Sequence, residues 1–182
     1  MEKYQDFWQK LIPTYTKLQF AGSMGLLSMG MGWDYGKSDQ WETDLLFGFV
    51  PQYSSSGVMI TSTIKQNYMP WRIPLDNGFM LEPLSCGLYS NAVLFNDDFW
   101  EREPDRYPSG YYKFSTKVRF NIFLGQRINY QIKHKNRHLA KRVSFFYEIS
   151  SNDLYLFNVF KNKYLKPKDY LSLSLGLKMQ IF

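Results

Sequence analysis

Large apolar residues alternate with small or polar ones along most of this chain, and the C-terminal segment shows the pattern most clearly. In residues 171–182, LSLSLGLKMQIF, every second position is Leu, Met or Ile, whereas Ser, Gly, Lys and Gln fill the positions between them up to Phe182. A period of two places the two kinds of residue on opposite faces of a β-strand. The segment is therefore predicted to be a strand with one apolar face and one small, polar face.

The same period predicts seven further strands upstream, which makes eight in the whole chain. Where the phase of the alternation reverses, after Leu26 and Leu27 and again near Pro83, the pattern predicts a β-bulge. Residues 150–153, SSND, are expected to form the turn of a hairpin. The predicted strands are residues 18–35, 40–50, 57–68, 79–94, 111–124, 142–149, 154–161 and 171–182.

Residues 1–16 have a different period. Their apolar residues recur at the helical spacing of three to four, namely Tyr4, Phe7, Trp8 and Leu11. Pro13 ends the pattern, because proline removes a helical hydrogen bond. The segment is predicted to be a short amphipathic helix that either caps one end of the strands or lies at a membrane interface. The chain is thus interpreted as one domain, 1–182, with a helix over 1–16 and strands over 17–182.

The composition and the strand lengths bear on what the apolar faces contact. Aromatic residues make up 19% of the chain and charged residues 21%, and the mean hydropathy is −0.38. No run approaches the roughly 18–20 apolar residues of a transmembrane helix, whereas several predicted strands reach the roughly ten residues with which a barrel strand crosses a bilayer. These features predict an all-β protein, an eight-stranded antiparallel transmembrane up-and-down β-barrel. A soluble lipid-carrier barrel, with its apolar face inward, is the alternative.

The small face of the strands contains charges of both signs, which are predicted to pair in the lumen and leave no pore. An eight-stranded lumen has room for such residues but not for the many aromatic side chains of the other face. The predicted lumen charges are Glu42, Asp44, Glu148, Lys65, Lys113, Lys117, Arg119 and Lys178.

The net charge of +6 and the isoelectric point of about 9.2 indicate an anionic partner. Cys86 is the single cysteine, so no intrachain disulfide is expected. His134 and His138 lie in a Lys- and Arg-rich segment without a carboxylate, which argues against a metal site. No motif indicates a cofactor, and the aromatics do not interleave with basic residues as nucleic-acid binding would need. No signal peptide is visible, so we expect a processed form in the bacterial outer membrane, its signal peptide removed.

If both termini are periplasmic, the connections between strands alternate in side. The expected outward loops are 36–39, 69–78, 125–141 and 162–168, and the expected inward turns are 51–56, 95–110 and 150–153. The third outward loop is rich in basic residues, which suit the phosphates of lipopolysaccharide. Its candidate phosphate-binding residues, with the adjoining Arg142, are Arg127, Lys133, Lys135, Arg137, Lys141 and Arg142.

Eight long strands, an N-terminal amphipathic helix and the segment GMGWDYGKSDQWETD at 30–44 resemble the small outer-membrane enzymes that edit lipid A acyl chains. These are the lipid A palmitoyltransferases and the lipid A deacylases, the latter with a His-x-Ser-Asn motif. Two segments are similar to that motif, LYSNA at 88–92 and EISSND at 148–153. Leu88 stands in place of the histidine in the first, and Ile149 or Glu148 in the second. The resemblance implies the candidate catalytic residues Ser90, Glu148, Ser150 and Ser151.

An ester hydrolase needs a base that activates its serine, and neither segment supplies a histidine. The sequence therefore favours a small, pore-less outer-membrane barrel with a structural or accessory role. Its expected partners are outer-membrane lipid, lipopolysaccharide or a neighbouring outer-membrane protein. The alternative is a lipid A acyl-chain modifying enzyme of the deacylase or palmitoyltransferase type.

Overall fold

The structure is a computed structural model, which describes residues 11–51, 59–95, 118–133, 140–153 and 171–181. The described residues are mainly β-strand, as the alternation predicts, with short 3-10 turns at Lys37–Asp39 and Asp76–Gly78. The strands are β1 (Tyr15–Ala21), β2 (Leu27–Tyr35), β3 (Trp41–Val50), β4 (Met59–Tyr68), β5 (Ile73–Pro74), β6 (Phe79–Phe95), β7 (Val118–Gln131), β8 (Arg142–Asn152) and β9 (Ser172–Gln180).

The strands form one closed antiparallel sheet. Its order is β4-β3-β2-β1-β9-β8-β7-β6, and pairing of β4 with β6 closes the circle. The two-residue strand β5 pairs only with the start of β6. The predicted all-β, eight-stranded, antiparallel up-and-down barrel is therefore confirmed, with β5 as a short addition at one end.

The predicted first strand, 18–35, is in fact a hairpin. The chain turns back at residues 22–26, and β1 pairs with β2 from Tyr15 opposite Gly32 to Phe20 opposite Leu27. Gly22 and Gly25 take positive φ angles of 86° and 136° in this turn, which glycine adopts without steric cost. The reversal of phase after Leu27 thus comes from a turn rather than from the predicted bulge.

The predicted hairpin between 142–149 and 154–161 is wrong. β8 continues to Asn152, and its two edges are paired with β7 and with β9. Since both edges are occupied, β8 has no edge left for a strand at 154–161, residues that lie outside the described part of the chain. The total of eight barrel strands is still right, because the predicted single strand 18–35 supplies two strands, β1 and β2.

Two further predictions concern the bulge in β6 and the end of β7. The predicted bulge near Pro83 is confirmed, since the pairing of β6 with β7 shifts register between Glu82 and Ser85. β7 continues to Gln131, so the prediction of a loop from residue 125 is wrong over 125–131.

The predicted N-terminal helix over 1–16 extends too far, because Tyr15 and Thr16 already belong to β1. Residues 1–10 lie outside the described residues. In the part of the chain that the structure describes, no helix has the length and apolar character needed to cross a membrane.

The hairpin at 22–26 also reverses the predicted sidedness. One end of the barrel, the terminal end, contains the start of β1 and the end of β9. The sequence pattern puts the loops 36–39, 69–78 and 125–141 at the end opposite the termini. In the structure, the connections in these regions lie at the terminal end instead. Because strands alternate in direction, the terminal end has connections 36–40, 69–78 and 132–141, and the opposite end has 22–26, 51–58, 96–117 and 153–171.

The two faces of the sheet are reversed relative to a soluble protein. Outward side chains are large and apolar, with Ile64 61% and Leu124 60% exposed, whereas the inward Lys65 is fully buried. A soluble lipid carrier would turn the apolar face inward, which the described strands do not do. Other buried polar or charged residues are Lys17, Glu42, Asp44, Asn67, Glu82, Arg127, Glu148 and Lys178.

A small apolar cluster fills the lumen near its middle. Met24 comes from the hairpin turn at 22–26 and packs with Leu46, Tyr89 and Phe123. All four side chains are nearly inaccessible to solvent. The turn therefore inserts a side chain into the opposite end of the lumen, and the charged residues lie mainly between this cluster and the terminal end.

Glycines on the inward face make room for the larger lumen side chains. A Cβ added at Gly176 would overlap the ring of Phe146. We expect Gly176→Ala to lower the free energy of unfolding by about 1–3 kcal/mol, as overpacking of a filled core does. Urea titration in detergent micelles, followed by tryptophan fluorescence, measures the change.

The matched control adds Phe146→Leu, which removes the ring. If the overlap with this ring is the cause, the double variant loses less stability than the sum of the two single variants. Additive losses would contradict this account of Gly176.

Candidate functional site

The most unusual group of side chains is a buried network of ion pairs inside the barrel. Among the described residues, five cationic and five acidic side chains take part, so their charges balance. The pairs are Lys17–Asp44, Lys65–Glu148, Arg72–Glu82, Arg127–Glu42, Arg127–Glu82, Lys178–Asp34 and Lys178–Glu42.

Glu42 is the central acid of this network. The two Nη atoms of the Arg127 guanidinium donate to its carboxylate, Nη1 to Oε1 at 2.6 Å and Nη2 to Oε2 at 3.0 Å. The Nζ of Lys178 donates to the same Oε1 at 2.5 Å and to Asp34 Oδ1 at 2.6 Å. Glu42 is 1% exposed. Its charge is thus compensated by protein groups from β7 and β9 rather than by water.

Asp44 is a second such centre, next to Glu42 on the inward face of β3. Lys17 Nζ donates to Asp44 Oδ2 at 2.7 Å, and Asn67 Nδ2 donates to the same oxygen at 2.9 Å. The hydroxyl of Tyr15 donates to the other oxygen, Oδ1. Lys178 Nζ lies 3.6 Å from the centre of the Tyr15 ring, which links this group to the Glu42 group.

Lys65 and Glu148 form the third centre, adjacent to the apolar cluster. Lys65 Nζ donates to Glu148 Oε2 and lies 4.0 Å from the centre of the Phe123 ring. Phe123 belongs to the cluster around Met24. The Lys65–Glu148 pair therefore packs directly against the apolar cluster, and the two groups together fill this part of the lumen.

The candidate catalytic residues do not converge on one site. Ser90 opposes Ile64 and Phe120, both of which face outward. Ser150 faces the lumen, where its hydroxyl accepts a hydrogen bond from Tyr89 at 3.0 Å. β7 lies between the strands of Ser90 and Ser150.

The remaining two candidates flank Ser150 on β8. Glu148 faces the lumen, whereas Ser151 opposes the outward Ile122 on β7. The carboxylate of Glu148 pairs with Lys65, which occupies one of its oxygens. Ser151 is buried and its hydroxyl oxygen has no hydrogen-bond partner. Neither arrangement shows a base bonded to a serine hydroxyl among the described residues.

The candidate phosphate-binding residues separate into two groups. Arg127, predicted in a loop, lies in β7 and is buried against Glu42 and Glu82. Lys133 and Lys141 are exposed at the terminal end, and Arg142 is half-buried as the first residue of β8. Lys135, Arg137, His134 and His138 lie outside the described residues.

Aromatic side chains cover the outside of the barrel at the terminal end on five strands, β2, β3, β4, β6 and β7. The Trp41 and Tyr68 rings are 4.5 Å apart between centres, and the Phe79 and Tyr130 rings are 4.9 Å apart. The sequence pattern placed aromatics on the outward face but did not predict that the outward tryptophans and most outward tyrosines of the described strands lie toward this end. The members of this aromatic girdle are Trp33, Tyr35, Trp41, Tyr68, Trp71, Phe79 and Tyr130.

Within the described ranges, no group of three or more His, Cys, Asp or Glu residues is placed to hold a metal ion. The chemistry that these residues offer is therefore charge pairing inside and apolar contact outside. No model of a protein family, no curated protein and no solved structure matches the chain.

Proposed function

We propose that this protein is a small, pore-less β-barrel that spans the outer membrane of a Gram-negative bacterium and has a structural or accessory role there. The observation that supports the proposal best is the reversal of its faces. Lysines such as Lys65 are buried in the lumen, whereas leucines such as Leu124 are exposed on the outside. This is the distribution that a lipid environment favours.

The height of the apolar surface fits a membrane. β3 has ten residues, and at about 3.3 Å per residue and a tilt of about 40° it rises roughly 25 Å along the barrel axis. Transmembrane barrels have an apolar band about 25 Å tall with aromatic residues at its borders. The aromatic girdle at the terminal end supplies one such border, because Trp and Tyr favour the level of the headgroups.

The lengths of the connections suggest an orientation. The terminal end has only short connections, 36–40, 69–78 and 132–141. The opposite end has two short ones, 22–26 and 51–58, and two longer stretches of chain between described strands, 96–117 and 153–171. Bacterial barrels have short periplasmic turns and longer extracellular loops. The terminal end is therefore assigned to the periplasm in this proposal.

This orientation changes the expected lipid contacts. Lys133 and Lys141 then meet the headgroups of periplasmic-leaflet phospholipids rather than lipopolysaccharide. The 153–171 connection, which contains Lys161, Lys163, Lys166 and Lys168, takes the lipopolysaccharide side. Basic residues on both sides fit a scaffold that contacts anionic lipid or a neighbouring membrane protein.

The alternative, an enzyme that edits lipid A acyl chains, needs a base beside a nucleophilic serine. Glu148 is paired with Lys65, and Ser150 accepts a hydrogen bond from Tyr89. These contacts favour the structural role over the enzymatic one.

Refolding from urea tests the proposed membrane insertion. We expect β-sheet circular dichroism and a heat-modifiable band on SDS gels only when vesicles or micelles are present. We also expect planar bilayers with the folded protein to show no conductance steps, since ion pairs fill the lumen. A folded, monodisperse protein without detergent would refute the proposal.

Mass spectrometry of lipid A after incubation with the folded protein tests the alternative. The structural role predicts an unchanged set of acyl chains. A lost or added acyl chain, abolished by Ser150→Ala or Ser90→Ala but retained with Ser172→Ala, would establish the enzyme instead.

A further inference from the structure

A small cavity opens at the rim of the barrel's terminal end, between the β5–β6 hairpin and the start of β8. Its volume is about 170 Å³. One water takes up about 30 Å³ in the liquid, so the cavity can hold a compact polyatomic group. Its polar wall is formed by Asn129, Gln131 and Arg142, and its apolar wall includes Leu75, Phe79 and Met80.

Arg142 differs from the cations of the ion-pair network. Each of those lysines and arginines has a carboxylate within 4.0 Å, whereas no acidic side chain of the described residues lies within that distance of Arg142. Its strand neighbours are Gln131 on β7 and Gln180 on β9, both uncharged. Among the described side chains, this half-buried guanidinium with its planar set of donors has no carboxylate partner.

Asn129 supplies an independent observation in the same cavity. Its side chain is 2% exposed, and its Nδ2 has no hydrogen-bond partner. A buried donor without an acceptor costs stability, and in folded proteins it is usually matched by a ligand, an ion or water. Asn129 and Arg142 line one cavity, so the group that complements both is a compact, oxygen-rich anion.

We propose that this cavity, the mouth pocket, binds a phosphate group, with Arg142 as a bidentate donor and Asn129 as an amide donor. Phosphate offers several acceptor oxygens, which can serve the guanidinium and the amide together. The apolar wall at Leu75 and Phe79 accommodates the carbon of a phosphate ester. The source is either free phosphate or the headgroup of a phospholipid.

The headgroup source deepens the proposed membrane function and rests on it, because Phe79 belongs to the aromatic girdle. Binding of free phosphate does not need membrane insertion. The two proposals can therefore fail separately, since vesicle insertion tests one and phosphate binding in micelles tests the other.

Isothermal titration calorimetry of the full chain, folded in dodecyl-maltoside micelles without phosphate, tests the pocket. One arm uses inorganic phosphate, and the other compares a short-chain phosphatidylglycerol with the matching diacylglycerol. We expect saturable binding with one site per chain in at least one arm. Arg142→Gln is expected to weaken binding by about tenfold or more, as loss of charge-assisted hydrogen bonds does.

Lys37→Gln is the matched control, because it removes the same charge from an exposed residue at the same end of the barrel that does not line the pocket. We expect it to change the affinity by less than about twofold, since exposed charges are screened by salt. Asn129→Leu removes the unpaired donor without burying a charge, so it is expected to weaken binding while the unfolding midpoint is kept.

Binding of inorganic phosphate assigns a free anion, and binding of phosphatidylglycerol alone assigns a headgroup. Either result supports the pocket, provided that Arg142→Gln and Asn129→Leu both weaken it. Absence of saturable binding in both arms would overturn the proposal. Equal weakening by Lys37→Gln and Arg142→Gln would overturn it as well, because it would show diffuse attraction rather than a pocket.

Discussion

Replacing Glu42 with glutamine is expected to lower the free energy of unfolding by about 3–5 kcal/mol, the cost of breaking a buried ion pair by removing one partner. Glutamine keeps the size of the side chain but removes the charge that compensates Arg127 and Lys178. Lys178 retains Asp34, whereas the bidentate contact of Arg127 is lost. Urea unfolding in micelles or vesicles, followed by tryptophan fluorescence, measures the loss.

Two comparisons isolate the buried pair. Asp76→Asn removes one negative charge from an exposed turn and is expected to change stability by less than about 0.5 kcal/mol. The double variant Glu42→Gln with Arg127→Gln is expected to lose less than the sum of the single variants, because it leaves fewer unpaired buried charges. If Glu42→Gln and Asp76→Asn behaved alike, the network would not stabilise the barrel.

The faces of the strands could be predicted from the sequence, because a period of two depends only on strand geometry. Lys65, Glu148 and Lys178 were assigned to the lumen on this basis, and all three are buried there. Lys113 and Lys117, which were assigned with them, lie outside the described residues. Arg119, also assigned to the lumen, is half-buried near the opposite end.

The partners of these residues could not be predicted in the same way. Lys65 and Glu148 are 83 residues apart in the chain, and their contact depends on the register of strands that meet only when the barrel closes. Arg127 was missed as a lumen residue because β7 was predicted to end at residue 124. Arg127 is two residues from Gly125 and four from Phe123, so the alternation places all three on the same face, which is the inward one. Extending the alternation beyond residue 124 would have assigned Arg127 to the lumen.

The turn at 22–26, where the sequence pattern predicts a bulge, changes the predicted architecture more than any other difference, because it reverses the direction of the strands that follow. A phase reversal looks the same in sequence whether a bulge or a tight turn causes it, because either inserts residues between two alternating runs. Gly22 and Gly25 favour the turn, since both adopt positive φ angles that other residues avoid. With the turn in place, the basic residues Lys133 and Lys141 lie at the end of the barrel where β1 begins and β9 ends.

The phosphate candidates illustrate a second limit of sequence reasoning. Arg127 and Arg142 were grouped by their nearness in the chain, yet one is neutralised by Glu42 and the other has no acidic partner among the described side chains. Net charge along a segment cannot distinguish a paired guanidinium from an unpaired one. That distinction needs the cross-strand neighbours, which only the closed barrel supplies.

Placing a positive charge on the outer surface separates a membrane barrel from a soluble one most directly. Leu124 is 60% exposed in the middle of β7, and Leu171 is 41% exposed at the opposite end, next to β9. In water both are surface positions, where a substitution changes stability by about 0.5 kcal/mol or less. In a bilayer the cost depends on depth, about 2–4 kcal/mol for arginine at the midplane and about 0–1 kcal/mol near the border.

We therefore expect Leu124→Arg to lower the free energy of unfolding in lipid vesicles by about 2–4 kcal/mol, and Leu171→Arg by about 1 kcal/mol or less. Urea titration of vesicle-inserted protein, with the same lipid for both variants, gives the difference. Leu124→Ala controls for the loss of the leucine itself. Equal and small effects of the two arginines would mean that water surrounds the apolar face, and the proposed membrane location would then be wrong.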